Sequence, residues 1–185
     1  MEKSSDSGTS GIGGMLPLHS QRYSDRMTEP YLPQANFIWM AAEGNVPLKG
    51  STEGEANLAL LIAFTRDADV SNRDWATMTL AMQDIDTPDV RAALIAATND
   101  EDCCVRGEAL EGLADRDKGL ALSFLCCELM REECAYPTFK AAQTVAHRAL
   151  LAGLRKWEGR GGASWIDSAI VEAIAACEAA PATDF

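Results

Sequence analysis

Six cysteines carry the most reactive side chains of the sequence: the adjacent pairs Cys103-Cys104 and Cys126-Cys127, and the single Cys134 and Cys177. Neighbouring residues of a helix point about 100° apart, so an adjacent pair is poorly placed to share a tetrahedral metal. No Cys-x-x-Cys spacing occurs. A set of Cys127, Cys134 and His147 would form a metal site only if the fold brought the three together. Buried reduced thiol is the simpler reading. His19 and His147 are the only histidines, and neither lies beside a serine or cysteine in a nucleophile motif. The glycine runs 11–14 and 159–162 do not end in Gly-Lys-Ser/Thr, the phosphate-binding pattern. These residues predict no catalytic group, no metal and no cofactor.

The carboxylates are the other chemical resource. Asp and Glu number 28 against 16 Lys and Arg, for a net charge of −12. Such a surface repels phosphate backbones and anionic membranes, and it favours a basic protein partner. Asp67, Asp69, Asp100, Glu101 and Asp102 cluster in two short polar segments between apolar runs. They read either as helix caps and solvated surface or as an acidic docking ridge. An EF-hand is excluded by spacing. Trp75, Trp157 and Tyr136 are candidate interface anchors, although aromatics at helical positions usually belong to a core.

Helices must position these groups. Aromatics make up only 6% of the chain, and alanine and leucine are plentiful. Residues 1–14 read as a disordered Gly/Ser tail. Residues 15–56 are broken by Pro17, Pro30, Pro33 and Pro47, and 37–42 would form one short helix or an extended strap packed on the first repeat. From Asn57 onward the period becomes helical. Thr87 and Pro88 suit a helix start, as does Ser164. Helices are expected over 119–131, 146–157 and 165–176. The first twelve residues have no basic start followed by an apolar core, and no run of about 18 apolar residues exists, so a cytoplasmic location is expected.

The chain also repeats itself. At an offset of 33 residues Leu61 falls on Leu94, Asp67 on Asp100, Asp69 on Asp102, Arg73 on Arg106, Ala76 on Ala109 and Leu80 on Leu113. Ala76 and Ala109 permit close helix approach. Asp69 and Asp102 fall where an N-cap is needed. Arg73 and Arg106 are unfavourable near a helix N-terminus, so each requires a carboxylate, from its own loop or from the neighbouring repeat. The two arginines read as a structural ladder between stacked repeats. Trp75 takes the slot of Glu108, which should face solvent. Phe139-Lys140 continues the pattern at an offset of 34.

The run Asp-x-x-Val-Arg-Gly-Glu-Ala-Leu-x-Gly-Leu from Asp102 to Leu113 resembles HEAT repeats of the phycobiliprotein-lyase-like family, and Asp69 to Leu80 is a weaker copy. The resemblance covers residues 57–115 well and fades toward Cys177. It implies an all-α fold, a right-handed α-solenoid of about three to four helical hairpins over 57–180, preceded by a flexible segment. The expected function is a non-catalytic protein-interaction scaffold or adaptor for a basic protein, in an inhibitor or immunity role. The alternative that the resemblance implies is a bilin lyase-like enzyme or chaperone acting on a chromophore-bearing protein.

Overall fold

Residues 31–181, the part of the chain that this computed structural model describes, contain nine α-helices and one 3₁₀ turn. The chain divides after Leu32, and every described helix lies in the unit that begins at Pro33. The expectations for residues 1–30, the disordered tail and His19 among them, lie outside the described residues. The helices are α1 (Asn36–Ala42), α2 (Thr52–Phe64), α3 (Val70–Met82), α4 (Pro88–Ala97), α5 (Cys103–Arg116), α6 (Lys118–Glu128), α7 (Tyr136–Val145), α8 (Leu151–Arg155) and α9 (Ser164–Ala179). The 3₁₀ turn Arg148–Leu150 leads into α8. No strand occurs among the described residues, so the fold is all-α.

Side-chain caps set most of the starts. The Ser51 hydroxyl accepts from Gly54 N at 3.0 Å, Asp69 from Ser71 N at 2.8 Å, and Thr87 from Val90 N at 3.3 Å. Asp102 accepts from Cys104 N and Val105 N, at 2.8 and 3.2 Å, and Asp117 from Leu120 N at 2.9 Å. Each satisfies an amide that the helix leaves unpaired. Pro88 and Pro137 sit in the first turns of α4 and α7, where no amide is needed. Ala146 closes α7 in the left-handed region, at φ 52°.

The helices form two rows. In the first, α1, α3, α5, α7 and α9 each pack on the next. In the second, α2, α4, α6 and α8 each pack on the first-row helix that follows them. Leu61, Leu80, Leu94, Leu113, Leu125, Phe139, Leu154 and Ile170 are fully buried. Small residues set the first-row spacing. A Cβ on Gly112 would lie 2.8 Å from Ala81 Cβ and 2.9 Å from Ala81 Cα, so α3 and α5 meet there with no room for a side chain. Gly107 faces Pro137 and Thr138 of α7 less tightly, where a Cβ would meet them at 3.2–3.3 Å.

Several boundaries differ from the sequence expectation. Of the two alternatives the sequence left open for 37–42, the structure has the helix, for which α3 and α2 supply a face: Ala35 N donates to Asn72 Oδ1 of α3 at 2.9 Å, and Phe37 stacks on Phe64 of α2. The next helix begins at Thr52, ahead of Asn57, because Ser51 caps it and Gly54 fits against the Lys49 backbone. Residues 146–157 are not one helix, since the reversal at Ala146 forces a 3₁₀ turn before α8. Ser164 is not a cap. Ala163 takes that position, and Asp167 Oδ1 accepts from Gly161 N at 2.8 Å.

Candidate binding surface

The two ladder arginines are placed alike. Arg73 Nη1 donates to its own loop carbonyls, Asp67 O at 3.1 Å and Ala68 O at 3.3 Å. Its Nε and Nη2 reach forward to Asp100, at 2.8 and 3.1 Å, and Nη2 also meets Glu101 at 3.2 Å. Arg106 Nη1 repeats the backward contact one unit on, to Asp100 O at 3.1 Å and Glu101 O at 2.9 Å. Its Nε lies 2.9 Å from both Glu128 oxygens, and Nη2 donates to Glu133 O at 3.2 Å. Each arginine therefore takes its own loop through carbonyls and the following loop region through a carboxylate. The bond to Asp100 raises the Arg73 pKa. Burial raises the Glu128 carboxyl above the ordinary range, partly offset by Arg106 and Arg131.

This edge spends most of the carboxylates that the sequence placed on a docking ridge. Asp67 accepts from Asp69 N at 2.8 Å and from the Asn72 amide at 3.2 Å. Asp100 holds Arg73 and accepts from Asp102 N at 2.9 Å. Asp69 and Asp102 are caps. Glu101, with its side chain 88% exposed, faces outward, as does Asp69 apart from its capping contacts. The Ser71 hydroxyl, more than any other group, lowers the Asp69 pKa below 3.8. The stability Asp69 supplies is thus present above that value and lost as pH falls through the lowered folded value. Asp69→Asn is expected to flatten the acid limb of a stability–pH profile followed by urea denaturation.

Trp75 is corrected outright. It is 2% exposed, and its ring packs 5.5 Å from Trp39 of α1. It belongs to the core and offers no docking surface, because α1 lies on the face of α3 that the repeat alignment left open. Glu108, in the equivalent slot, is buried as well. Trp157 is likewise structural: Nε1 donates to Leu129 O at 3.1 Å, and Phe139 meets the ring edge-on.

A different surface gathers aromatic and charged groups on α5, α7 and α9. The Tyr136 and Trp165 rings pack with centroids 4.9 Å apart, tilted by 58°, and both are half-exposed. Burial raises the Tyr136 hydroxyl pKa, and the negative charges of Glu111 and Glu172 add to the rise. Lys140 Nζ donates to Gln143 Oε1 at 2.7 Å, and Gln143 Nε2 to Glu172 Oε2 at 3.4 Å. Two ring faces beside carboxylates suit a guanidinium or ammonium group. Tyr136 was legible as a candidate anchor. Trp165 was not, because it lies beyond the residues that keep the repeat.

Among the described residues no group of three or more His, Cys, Asp or Glu side chains converges as a metal site. Cys134 Sγ donates to Glu128 O at 3.2 Å, and burial with the nearby Glu128 charge pushes its pKa up to about 12. Two shallow cavities, of about 240 and 260 Å³, open beside Arg73 and Arg116.

With this geometry the relatives can be placed. The chain is similar to YibA of Escherichia coli. It is 30% identical over 97 residues to Protein YibA of strain K12, and the same holds for the O157:H7 protein; the match covers 52% of this chain and 35% of YibA. The chain thus spans about a third of the curated relatives it matches. The X-ray structure of YibA superposes with a TM-score of 0.52 at 23% identity, over 77% of this chain and 55% of YibA. That likeness concerns the fold alone. No family model matches the chain. No described helix is long and apolar enough to cross a membrane.

Proposed function

We propose that this chain is a non-catalytic, cytoplasmic protein-binding module built from HEAT-like helical hairpins stacked as a short right-handed α-solenoid. It binds a basic protein partner through the face formed by α5, α7 and α9. The two-row packing and the 33-residue recurrence of the arginine contacts support the repeat reading. The observation that carries the binding reading is the Tyr136–Trp165 pair flanked by Glu111 and Glu172. The net charge of −12 supports a basic partner and opposes nucleic acid. Aromatics near carboxylates give the packed, polar-rimmed anchor typical of a binding hot spot. The acidic loop edge is secondary, since internal contacts consume most of it.

The test uses the immobilised full chain and its partner from the native host. Trp165→Ala and Glu172→Lys should each weaken binding by about 2 kcal/mol, roughly thirtyfold. Glu101→Lys should change it little. Circular dichroism checks that each variant folds. Binding lost with Glu101→Lys and unchanged by Trp165→Ala would place the site on the loop edge and refute this face.

A further inference from the structure

The vicinal thiols Cys103 and Cys104 form a site that the binding reading does not use. They are the first two residues of α5, held there by the Asp102 cap, which takes the amides of Cys104 and Val105. Adjacent side chains of a helix normally diverge. Here both thiols turn toward each other, and the sulfurs lie 3.9 Å apart. Both residues are half-exposed. A third thiol, Cys134, lies within electrostatic reach of Cys103, and its proton is directed to Glu128 O.

The separation discriminates between chemistries. A disulfide requires sulfurs about 2.05 Å apart. Closing the pair that far would pull adjacent residues of one helical turn together and disturb the capped first turn. Two thiolates with bonds of about 2.3 Å to one pyramidal, three-coordinate centre lie roughly 3.4–3.5 Å apart. The observed 3.9 Å is within about half an ångström of such a bridge through a third atom, and far from the disulfide distance. Soft centres prefer sulfur ligands. Because no third His, Cys, Asp or Glu donor converges among the described residues, the centre must bring its remaining ligands with it. An organoarsenic(III) compound does so: its carbon substituent stays in place and two positions are exchangeable.

We propose that Cys103 and Cys104 form a bidentate dithiol site for a soft, thiophilic centre with two open positions, the organoarsenic(III) class being the matched ligand. In the reaction R–As(OH)₂ takes up both thiols. Two As–O bonds break and two As–S bonds form. Each thiol proton leaves with a hydroxide as water, and arsenic stays trivalent. The second bond closes within the protein, so its effective concentration is high and the chelate outlasts any single-thiol adduct by about two orders of magnitude or more. Cys126 and Cys127, adjacent in sequence near the end of α6, serve as the comparison pair, with Cys127 exposed.

Phenylarsine oxide is the probe. The full chain, reduced with a phosphine so that no competing thiol is present, is titrated to one equivalent. Intact-mass spectrometry and iodoacetamide mapping then read the product. One chelate per chain, shielding Cys103 and Cys104 from alkylation, is expected. Cys103→Ser and Cys104→Ser should each weaken capture about a hundredfold. Cys126→Ser and Cys127→Ser should leave it unchanged. Protection that maps to other cysteines, or an affinity indifferent to Cys104→Ser, overturns the assignment. The mapping is done on the unaltered chain, so it decides the matter even if a serine variant folds poorly.

Discussion

Arg106→Ala is expected to lower stability by about 3–5 kcal/mol, read as a fall in the urea midpoint at unchanged slope. Arg106 and Glu128 are 5% and 3% exposed at their side chains, so the variant leaves a carboxylate buried without its main partner. Arg131, 3.0 Å from Glu128 Oε2 but 48% exposed, compensates only in part. Three loop carbonyls lose their donor as well. The sign of the pH dependence follows from burial. The Glu128 pKa is already raised above 4.5, and removing Arg106 raises it further. A raised folded pKa means the folded chain holds the proton more tightly than the unfolded one. The contribution is present in full below the ordinary glutamate value and is lost as pH rises through the folded value. The deficit of Arg106→Ala should therefore be larger at neutral pH than near pH 4.5. An additional Glu128→Gln change should recover part of the loss by removing the buried charge.

Arg116→Ala should cost about 3 kcal/mol, with the damage centred on the end of α3. Arg116 is an arginine the repeat comparison did not single out. Its guanidinium donates to Leu80 O at 3.0 Å, Ala81 O at 3.1 Å, Gln83 O at 2.6 Å and Ile85 O at 3.2 Å, and to Gly112 O of its own helix at 2.7 Å. The last carbonyls of a helix lack internal partners, and here the following hairpin supplies them. The effects of separate bonds to one group do not add, so the figure stays near that of one or two charged bonds. Arg116→Lys should fail to rescue, because a single ammonium cannot span four carbonyls. Hydrogen exchange should show residues 80–85 opening well before α5. Uniform exchange across α3 and α5 would contradict a local clamp.

What could be read from sequence was whatever repeats or caps. The offset of 33 residues identified Asp69 and Asp102 as caps, because a cap depends on residues close in sequence, and Arg73 and Arg106 as a ladder whose carboxylate, from the same loop or the neighbouring repeat, stayed open; the contact to Asp100 crosses 27 residues. Glu128 as the partner of Arg106 was hidden, since the contact crosses to α6, where the pattern has lapsed. Trp75 was misplaced for a related reason. The alignment put the slot shared by Trp75 and Glu108 on solvent, yet the packing of neighbouring helices buries both, Trp75 against Trp39 of α1. The Tyr136–Trp165 pair was invisible because it joins the starts of two helices 29 residues apart in sequence, in the atypical last units. Arg116 had no signal beyond its place in the last turn of α5, where any arginine suits the helix dipole.

The most direct test of the binding face is site-specific photo-crosslinking in the full chain bound to its partner. Trp165→p-benzoylphenylalanine places the probe on the α5–α7–α9 surface. Leu60→p-benzoylphenylalanine places it on α2, where Leu60 is 44% exposed. The account predicts a crosslink from position 165 to an Arg- or Lys-bearing segment of the partner, diminished by Glu172→Lys, and none from position 60. A crosslink from position 60 alone, or one from 165 indifferent to Glu172→Lys and mapping to an acidic segment, would contradict it.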